Sequence, residues 1–352
     1  MSSRIIDKNF CMSSFLAFRY VERDNCDFSE KLQYKLHKTN QKEIILVDSS
    51  LDIDIEIKRQ LSDLKNRYKK IGILLSGGID SAIIASYLSG CDAYTFRFLG
   101  GSFQKEELKR AEYYANFYGL KLHYVDIDWS TVTDNLNSLM MSKGGPVHSI
   151  ETQICQAAKK AKADGVQIMV IGESSDLNFG GMDGLLSKNW LLNEFMDRYV
   201  FVKPEKVLKD FVSVKYLFER YRINSNKIDF IKFIDEIFSV ESSNSYVNAF
   251  LVSNLPFYDP YAKLKMKSKL DLERIRKGES KYLIRELFKL KYPGIDVPNK
   301  IPMPRPVDFY FKDWSGPKRE EFIYNLDISS FTGNQKWLIW CLEEFLNMLD
   351  AM

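Results

Sequence analysis

Apolar and polar positions along residues 44–190 predict strands that alternate with helices. Short continuous apolar runs, typical of strands buried on both faces of a sheet, lie at 44–48, 71–76, 92–99, 121–128 and 166–172. Amphipathic stretches lie between them, in the later half of 51–69 and at 80–90, 104–120 and 149–165. This alternation predicts an α/β fold with a doubly wound, mostly parallel sheet.

The pattern changes near residue 190. Helical spacing continues at 207–222, 227–240 and 336–352, and a proline-rich loop region occupies 291–306. We therefore predict three parts: an N-terminal extension over 1–45, an α/β domain over 46–190, and a mostly helical part over 191–352. Within the extension, residues 13–22 are compatible with a strand.

Composition narrows the class of protein. The chain has 352 residues, of which 45% are hydrophobic and 28% charged, a balance typical of globular proteins. A net charge of +3 provides no overall attraction to nucleic acid or to an anionic membrane, so we expect neither as a partner. The five scattered cysteines and three histidines form no disulfide or zinc pattern. With no signal peptide or apolar span, we expect the cytoplasm.

A glycine turn follows the predicted strand 71–76. Gly77 and Gly78 allow backbone N–H groups to approach an anion, and the helix expected to begin around Asp80 adds further donors. The hydroxyls of Ser76 and Ser81 can donate as well. A carboxylate at Asp80 would repel phosphate, which predicts a Mg²⁺ ion bridging Asp80 and a polyphosphate. The same residues also fit a simple turn followed by a helix N-cap.

Two carboxylates follow the predicted strand 166–172. Glu173 and Asp176 come just after its end, at the same edge of a parallel sheet as Asp80. Carboxylates from two strand ends can hold a metal that neither holds well alone, so Asp80 and Asp176 are predicted metal ligands. A capped turn with two solvated acids is the alternative.

These two segments resemble a known group of enzymes. SGGIDS at 76–81 is similar to the signature of the ATP pyrophosphatase superfamily, and VIGESSDLNFGG at 170–181 is similar to the asparagine synthetase branch. The resemblance implies ATP binding and release of pyrophosphate while a substrate is adenylated. It implies that Asp176 is the second Mg²⁺ ligand opposite Asp80. It also implies that Glu173 handles the proton of an amine or amide.

A third segment extends the resemblance. GESKYLIRELF at 278–288 resembles the Lys-x-x-x-Arg helix of that family, which makes Lys281 and Arg285 catalytic candidates facing the ATP phosphates. Without the resemblance, Lys281 would be a surface lysine on an amphipathic helix. Lys300 and Arg305 lie in PNKIPMPRP and either close over phosphates or an acidic substrate, or remain solvated loop charges.

The resemblance also fails at several positions. No glutamine-hydrolysing half is expected, because about 45 residues before the α/β domain cannot hold one. Leu177, Met182, Val252 and Asn254 replace residues usual in asparagine synthetases on the amino-acid side of the pocket. We therefore expect a small-molecule carboxylate other than aspartate as substrate. Its nitrogen would come from free ammonia, a separate glutaminase or an amine.

The leading hypothesis is an AMP-forming, ATP-dependent carbon–nitrogen ligase. It would adenylate a carboxylate, and ammonia or an amine would then displace AMP to give an amide. Two alternatives stay open. The first is a thiolating or tRNA-modifying ATP pyrophosphatase that uses Cys155 or Cys91 as a sulfur carrier. The second is a non-catalytic ATP-binding protein.

Overall fold

The protein is described by a computed structural model over residues 4–37, 43–100, 104–301, 303 and 305–352. Parts of the predicted extension (1–3 and 38–42) and two prolines of the 291–306 loop lie outside these residues. The strands are β1 (Ile5–Ile6), β2 (Cys26–Asp27), β3 (Ile45–Val47), β4 (Ile71–Leu74), β5 (Asp92–Phe98), β6 (Lys121–Ile127), β7 (Ile168–Val170), β8 (Phe257–Tyr258) and β9 (Leu264–Met266).

The helices alternate with these strands and then dominate the C-terminal half. The α-helices are α1 (Lys8–Phe18), α2 (Ser50–Arg67), α3 (Ile79–Ala85), α4 (Lys105–Tyr118), α5 (Trp129–Lys143), α6 (Ser149–Ala163), α7 (Ser175–Asn178), α8 (Asp183–Leu186), α9 (Leu192–Tyr199), α10 (Lys215–Glu219), α11 (Phe230–Phe233), α12 (Ser239–Ser253), α13 (Leu272–Arg276), α14 (Tyr282–Lys291), α15 (Val307–Tyr310) and α16 (Gly333–Ala351). A π-helix, Ile234–Phe238, joins α11 to α12. In the described part of the chain, no helix has the length and apolar character needed to cross a membrane.

Five parallel strands form the main sheet, in the order β6-β5-β4-β7-β8. The chain adds β5 and β6 on one side of β4 and then returns to place β7 and β8 on the other side. The loops after β4 and β7 therefore diverge and open a crevice at the carboxyl ends of these strands, where open α/β sheets bind ligands. The predicted fold class is confirmed, although β3 pairs with β9 outside the main sheet.

Two hydrophobic cores cover the two faces of this sheet, because successive side chains of a strand point to opposite faces. Ile73 and Val170 belong to the core that includes residues of α2, α3, α4 and α14. Met169 and Ile171 belong to the core that includes residues of α5, α6, α12 and α16. Each core thus combines residues from both sides of position 190. The boundaries at 45 and 190 stay predictions.

The N-terminal extension contributes a buried helix. The prediction of a strand at 13–22 is wrong, because α1 spans Lys8–Phe18 and every residue from Phe10 to Phe18 is buried. A helix buried on all sides shows a continuous apolar run instead of an amphipathic period, and such a run resembles a buried strand.

The predicted C-terminal helices have mixed outcomes. The helix at 336–352 is confirmed as α16, and the helix at 227–240 continues through the π-helix into α12. The prediction of a helix over 207–222 is wrong except at α10, which spans Lys215–Glu219. Residues near Leu208 instead pair with a distant segment, since Ile323 N–H donates to the Val207 carbonyl at 2.9 Å. This pairing partner is more than 100 residues away in the sequence and cannot be read from local spacing.

A fully buried ion pair ties three helices together. Lys143 Nζ lies 2.5 Å from Glu151 Oε1, and both side chains are 0% exposed. Glu151 also accepts hydrogen bonds from the His148 N–H and from Asn248 Nδ2, both at 2.8 Å. The pair therefore fixes the start of α6 against the end of α5 and against α12.

Replacing Lys143 with methionine would leave the Glu151 carboxylate buried without its cation. We expect Lys143→Met to lower the free energy of unfolding by about 3–5 kcal/mol, measured by urea denaturation. Lys277→Met is the matched control, because Lys277 is 70% exposed and its pair with Glu273 lies at the surface. That variant should change stability by less than about 0.5 kcal/mol. Equal effects in the two variants would contradict the role given to the buried pair.

Candidate active site

A cavity of about 220 Å³ opens where β4 and β7 end. Among the residues that line it are ten candidates from the sequence: Ser76, Gly77, Gly78, Asp80, Ser81, Glu173, Asp176, Lys281, Arg285 and Lys300. Arg305 is not a lining residue; it contacts His148 and Ser149 instead. The fold thus gathers residues from three distant segments around one crevice.

Hydrogen bonds between two serines shape the loop after β4. Ser81 Oγ accepts from the Ser76 N–H at 3.1 Å and lies 3.0 Å from Ser76 Oγ. Ser76 Oγ in turn accepts from the Gly78 N–H at 3.1 Å. Gly78 is the N-cap of α3, and no side chain caps the helix there. Neither Asp80 nor Ser81 serves as the N-cap, so the alternative of a simple capped turn is wrong in that detail.

Gly77 is required because the loop packs directly on α4. A Cβ atom at Gly77 would lie 2.7 Å from the Glu107 carbonyl oxygen and 2.8 Å from its Cα. The Gly77 N–H donates to the Glu107 carboxylate, whose pKa burial raises to about 7. Glu107 also lines the cavity, so a carboxyl group that titrates near neutral pH lies beside the glycine turn.

The Lys281 ammonium lies between two carboxylates. Its Nζ donates to Asp80 Oδ2 at 2.6 Å and forms an ion pair with Asp176 Oδ1. Burial acts to lower the pKa of Lys281, but the two carboxylates outweigh it and raise that pKa above the usual range. Lys281 therefore carries a positive charge at the position where the sequence predicts a metal.

The backbone of Lys281 is strained. Its φ of 53° and ψ of 37° lie in the left-handed region, immediately before α14 begins. This conformation costs about 1–3 kcal/mol for a residue with a Cβ, and residues held in it cluster at functional sites. Lys281 has this conformation directly before α14, and its side chain lines the crevice.

Lys300 contacts the second oxygen of the Asp176 carboxylate, the one that Lys281 does not contact. Its Nζ donates to Asp176 Oδ2 and to the Gly181 carbonyl, both at 2.9 Å. Burial acts to raise the pKa of Asp176, but Lys281 and Lys300 outweigh it and hold that pKa below its usual range. Lys300 thus contacts Asp176 at the crevice while its side chain stays 49% exposed, and its role toward phosphates or substrate stays a prediction.

The carboxylates fit a Mg²⁺ ion that also binds phosphate oxygens. Mg²⁺ is commonly held by one or two protein carboxylates together with substrate phosphates. Asp80 Oδ1 is buried and accepts no hydrogen bond, so a ligand atom is free beside Asp176. Within the described ranges, no group of three or more His, Cys, Asp or Glu side chains could hold a metal ion by itself. Asp80 and Asp176 as metal ligands remain a prediction.

Glu173 points away from this cluster, toward α12. It accepts hydrogen bonds from the hydroxyls of Ser242 and Tyr246. Burial raises the pKa of Glu173, and these two hydroxyls oppose the shift only in part. The next residue, Ser174, donates its N–H to Asp259 Oδ2 at 2.7 Å, so the end of β8 positions the loop after β7.

Sequence reasoning missed several polar residues of the cavity. The motifs single out none of Gln104, Glu107 and Tyr246, yet all three line the crevice. Glu107 sits on a helix identified from its spacing, so its buried position in the first turn was a usable signal. Tyr246 lies 73 residues after Glu173 on a helix with no recognisable motif, and only the packing of α12 brings them together.

The cysteines do not support a sulfur carrier. Cys155 is fully buried within α6, and burial raises the pKa of its thiol to about 11. Cys91 precedes β5, at the opposite end of the sheet from the crevice, and burial raises its pKa as well. No cysteine of the described residues lines the cavity. Thiolate chemistry requires a lowered thiol pKa and access to the substrate.

The chain belongs to the asparagine synthase family. The family model matches residues 59–249, more than half of the chain, and this segment includes the loops after β4 and β7. Asparagine synthetase [glutamine-hydrolyzing] from Sandersonia aurantiaca is 30% identical over 141 residues, which cover 36% of this chain and 26% of that protein. The match thus spans about a quarter of the length of that relative.

Solved structures with related sheets are more distant. The U34-tRNA thiolase NcsA from Methanococcus maripaludis is 13% identical with a TM-score of 0.32, over 86% of this chain and 80% of that chain. NMN synthetase from Francisella tularensis is 12% identical with a TM-score of 0.29, over 74% of this chain and 100% of that chain. At these TM-scores the similarities carry no information about function.

Removing the Lys281 ammonium should expose the metal-binding capacity of the two carboxylates. In Lys281→Met, we expect 5 mM Mg²⁺ to raise the thermal midpoint by several degrees more than in the unchanged protein, because the ion replaces the missing charge. Lys188→Met is the control, since Lys188 pairs with Glu194 at the surface. Equal Mg²⁺ responses in all three proteins, at matched ionic strength, would contradict the metal site.

Glu107 should make stability depend on pH. The folded protein raises the pKa of Glu107 to about 7, against about 4.5 unfolded. The unfolded chain therefore loses this proton more easily, and stability falls as pH rises from about 4.5 through 7. Glu107→Gln cannot ionise, so it should raise the thermal midpoint at pH 8 and leave it nearly unchanged at pH 5. Glu106→Gln, at a position with a 67% exposed side chain, should show no such pH-dependent difference.

Proposed function

We propose that this protein is an ATP-dependent ligase that forms an amide and releases AMP and pyrophosphate. The observation that carries the proposal is the Lys281 ammonium, held 2.6 Å from Asp80 Oδ2 beside the glycine turn at the switch point of the sheet. Membership of the asparagine synthase family supports the same class of reaction.

The first step would be adenylation of a carboxylate. A carboxylate oxygen of the substrate attacks the α-phosphorus of ATP, and the bond to the β-phosphate oxygen breaks to release pyrophosphate. The N–H groups of the turn and the Ser76 and Ser81 hydroxyls would contact the phosphates. Lys281 and Arg285 would offset the negative charge that develops on pyrophosphate. Asp80 and Asp176 would hold Mg²⁺, which neutralises phosphate charge when bound.

The second step would be attack of nitrogen on the acyl-adenylate. The nitrogen lone pair forms the bond to the carbonyl carbon, AMP leaves, and the nitrogen loses a proton. We assign the acceptance of that proton to Glu173, because its raised pKa makes it a stronger base than an ordinary carboxylate. The nitrogen donor would be free ammonia, ammonia from a separate glutaminase, or an amine. The acid would be a small molecule other than aspartate.

One observation favours a second candidate. Lys281 pairs with both Asp80 and Asp176, so the charges of the three side chains are partly balanced without any ligand. Such ion pairs would also stabilise the fold of a non-catalytic ATP-binding protein. The two functions differ in whether ATP is cleaved.

The decisive experiment measures AMP and pyrophosphate. The protein is incubated with ATP, Mg²⁺, ammonium and a panel of monocarboxylic, dicarboxylic and amino acids, and the products are quantified. We expect at least one acid to yield AMP and pyrophosphate in equal amounts, with Lys281→Ala reducing the rate at least 100-fold. Formation of ADP instead, or binding of ATP without cleavage across the panel, would reject the ligase and favour the second candidate.

Two adjacent glycines give a matched test of the phosphate cradle. Gly77→Ala places a Cβ 2.7 Å from the Glu107 backbone and must displace the turn, so ATP affinity should fall at least tenfold. Gly78→Ala meets only the Ser76 hydroxyl at 3.2 Å, and its φ of −88° is ordinary for alanine. Its affinity should stay within about threefold. Isothermal titration calorimetry measures both, and similar losses in the two variants would argue against the cradle.

A further inference from the structure

A second cavity lies on the other side of α7 from the crevice. It has a volume of about 620 Å³ and is bounded by α7, α8, α11, the π-helix, β9 and the first residue of α13. Small-molecule sites in proteins commonly have volumes of about 300–1,000 Å³. The second cavity is therefore large enough for a ligand, and the proposed reaction does not use it.

One short segment separates the two cavities. Asp176 and Gly181 line the crevice, whereas Leu177, Asn178 and Met182 line the second cavity, and none of the described residues lines both. Because α7 contains both Asp176 and Leu177, this helix has one side toward each cavity. Leu177 and Met182 are also positions at which the sequence departs from asparagine synthetases. Those two departures shape the second cavity and not the crevice.

The interior of the second cavity is apolar. Leu186 and Ile234 are 3% and 5% exposed and form its least accessible part. Leu177 and Met182 are half-buried, and Ile231 is 38% exposed. Apolar surface that stays open to water in a concave site becomes more favourable when an apolar ligand covers it. The lining therefore favours a ligand with an apolar body.

Several polar groups of the second cavity already have partners within the protein. Asn178 Nδ2 donates to a backbone carbonyl at 2.9 Å, and Ser268 Oγ donates to Asp48 Oδ1 at 2.7 Å. Lys265 Nζ donates to Asp235 Oδ1 at 2.8 Å. These groups need no ligand to satisfy them, so they do not favour a polar occupant.

One cation remains at the second cavity. Its lining includes Lys232, Lys265 and Lys269 but only two carboxylates, Asp229 and Asp235. Lys269 is exposed, and its ammonium has no hydrogen-bond or ion-pair partner in the part of the chain that the structure describes. An ammonium is a compact charge that attracts an anion of any shape. The cavity thus combines an apolar interior with one uncompensated positive charge.

We propose that the second cavity binds an amphipathic anion, a molecule whose apolar chain ends in a single anionic group, such as a medium-chain fatty acid. The chain would lie against Leu186, Ile234 and Ile231, and the anionic group would lie near Lys269. This ligand would not be the acid that reacts, because α7 separates it from the crevice. The proposal does not rest on the ligase function, since binding here requires no cleavage of ATP.

Isothermal titration calorimetry of the full-length protein tests the chemistry of the ligand. Octanoate is the probe, and all ligands are kept below their micelle-forming concentrations. Butyrate keeps the anionic group but has a shorter chain, whereas 1-octanol and octylammonium keep the chain without the anion. We expect octanoate to bind one-to-one, at least about tenfold more tightly than butyrate and about threefold more tightly than 1-octanol. Octylammonium should bind more weakly than 1-octanol.

Filling the second cavity tests the location. Ile231→Trp adds bulk to a lining position that is 38% exposed, and it should weaken octanoate at least about tenfold by occupying the space of the chain. Ile223→Trp is the matched control, because Ile223 is 63% exposed and does not line the cavity, so its affinity should stay unchanged. An octanoate site in the crevice would be indifferent to both substitutions. Thermal melts show that each variant is folded.

Removing the cation tests the role of Lys269. Lys269→Met should weaken octanoate by about threefold and leave the affinity for 1-octanol unchanged, a difference that a merely structural effect would not produce. Lys267→Met is the control, since Lys267 is exposed and does not line the second cavity. It should leave both affinities unchanged.

Three results would each overturn the proposal. The first is that octanoate does not bind, or binds no more tightly than butyrate or octylammonium. The second is that Ile231→Trp binds octanoate as Ile223→Trp does. The third is that Lys269→Met binds octanoate as Lys267→Met does. The ligase assay is independent, because its outcome depends on AMP and pyrophosphate and not on octanoate binding.

Discussion

The architecture around the cavity depends on one electrostatic constraint, the pairing of the Lys281 ammonium with Asp80 and Asp176. Two carboxylates at the ends of neighbouring strands repel each other strongly where water is scarce. A cation between them removes that repulsion and draws the start of α14 to the edge of the sheet. The left-handed backbone at Lys281 is the conformational cost of this arrangement. Lys300 adds a second cation from a later loop, so the C-terminal half is tied to the crevice by charge as well as by its shared cores.

A second buried network holds together the helices on the α12 side of the cavity. The Lys143–Glu151 pair, with Asn248, joins α5, α6 and α12 without solvent contact. The network thereby fixes the position of His148, the N-cap residue of α6. It also holds α12 in the position from which its polar residues contact Glu173. One wall of the cavity is thus organised by partly exposed charges that a ligand can rearrange. The buried Lys143–Glu151 pair does not line the cavity itself; it holds α12, which contributes the lining residue Tyr246.

Different segments of the chain supply the acidic and the basic residues of the crevice. The segment 59–249 that matches the asparagine synthase family contains the glycine turn, Asp80, Glu173 and Asp176. Lys281, Arg285 and Lys300, the basic residues that line the crevice, lie outside that segment. The family segment therefore supplies the glycine turn and the carboxylates of the crevice, and the segment after it supplies the basic side chains.

The sequence by itself determined the elements with strong periodicity, and its local motifs singled out residues that the fold brings to one crevice. The strands that became β4 to β7 and the SGGIDS turn were correct because burial on both faces and a glycine turn leave local signals. Only tertiary structure decided the rest. The buried helix α1 lacks a polar face, and the partner of Leu208 lies over 100 residues away. The strand-end positions and the family resemblance predict a metal held by Asp80 and Asp176, and only the tertiary structure shows that Lys281 contacts both carboxylates. The contact of Arg305 with His148 and Ser149 likewise has no sequence signature, because long-range packing alone sets the distances between side chains on separate segments.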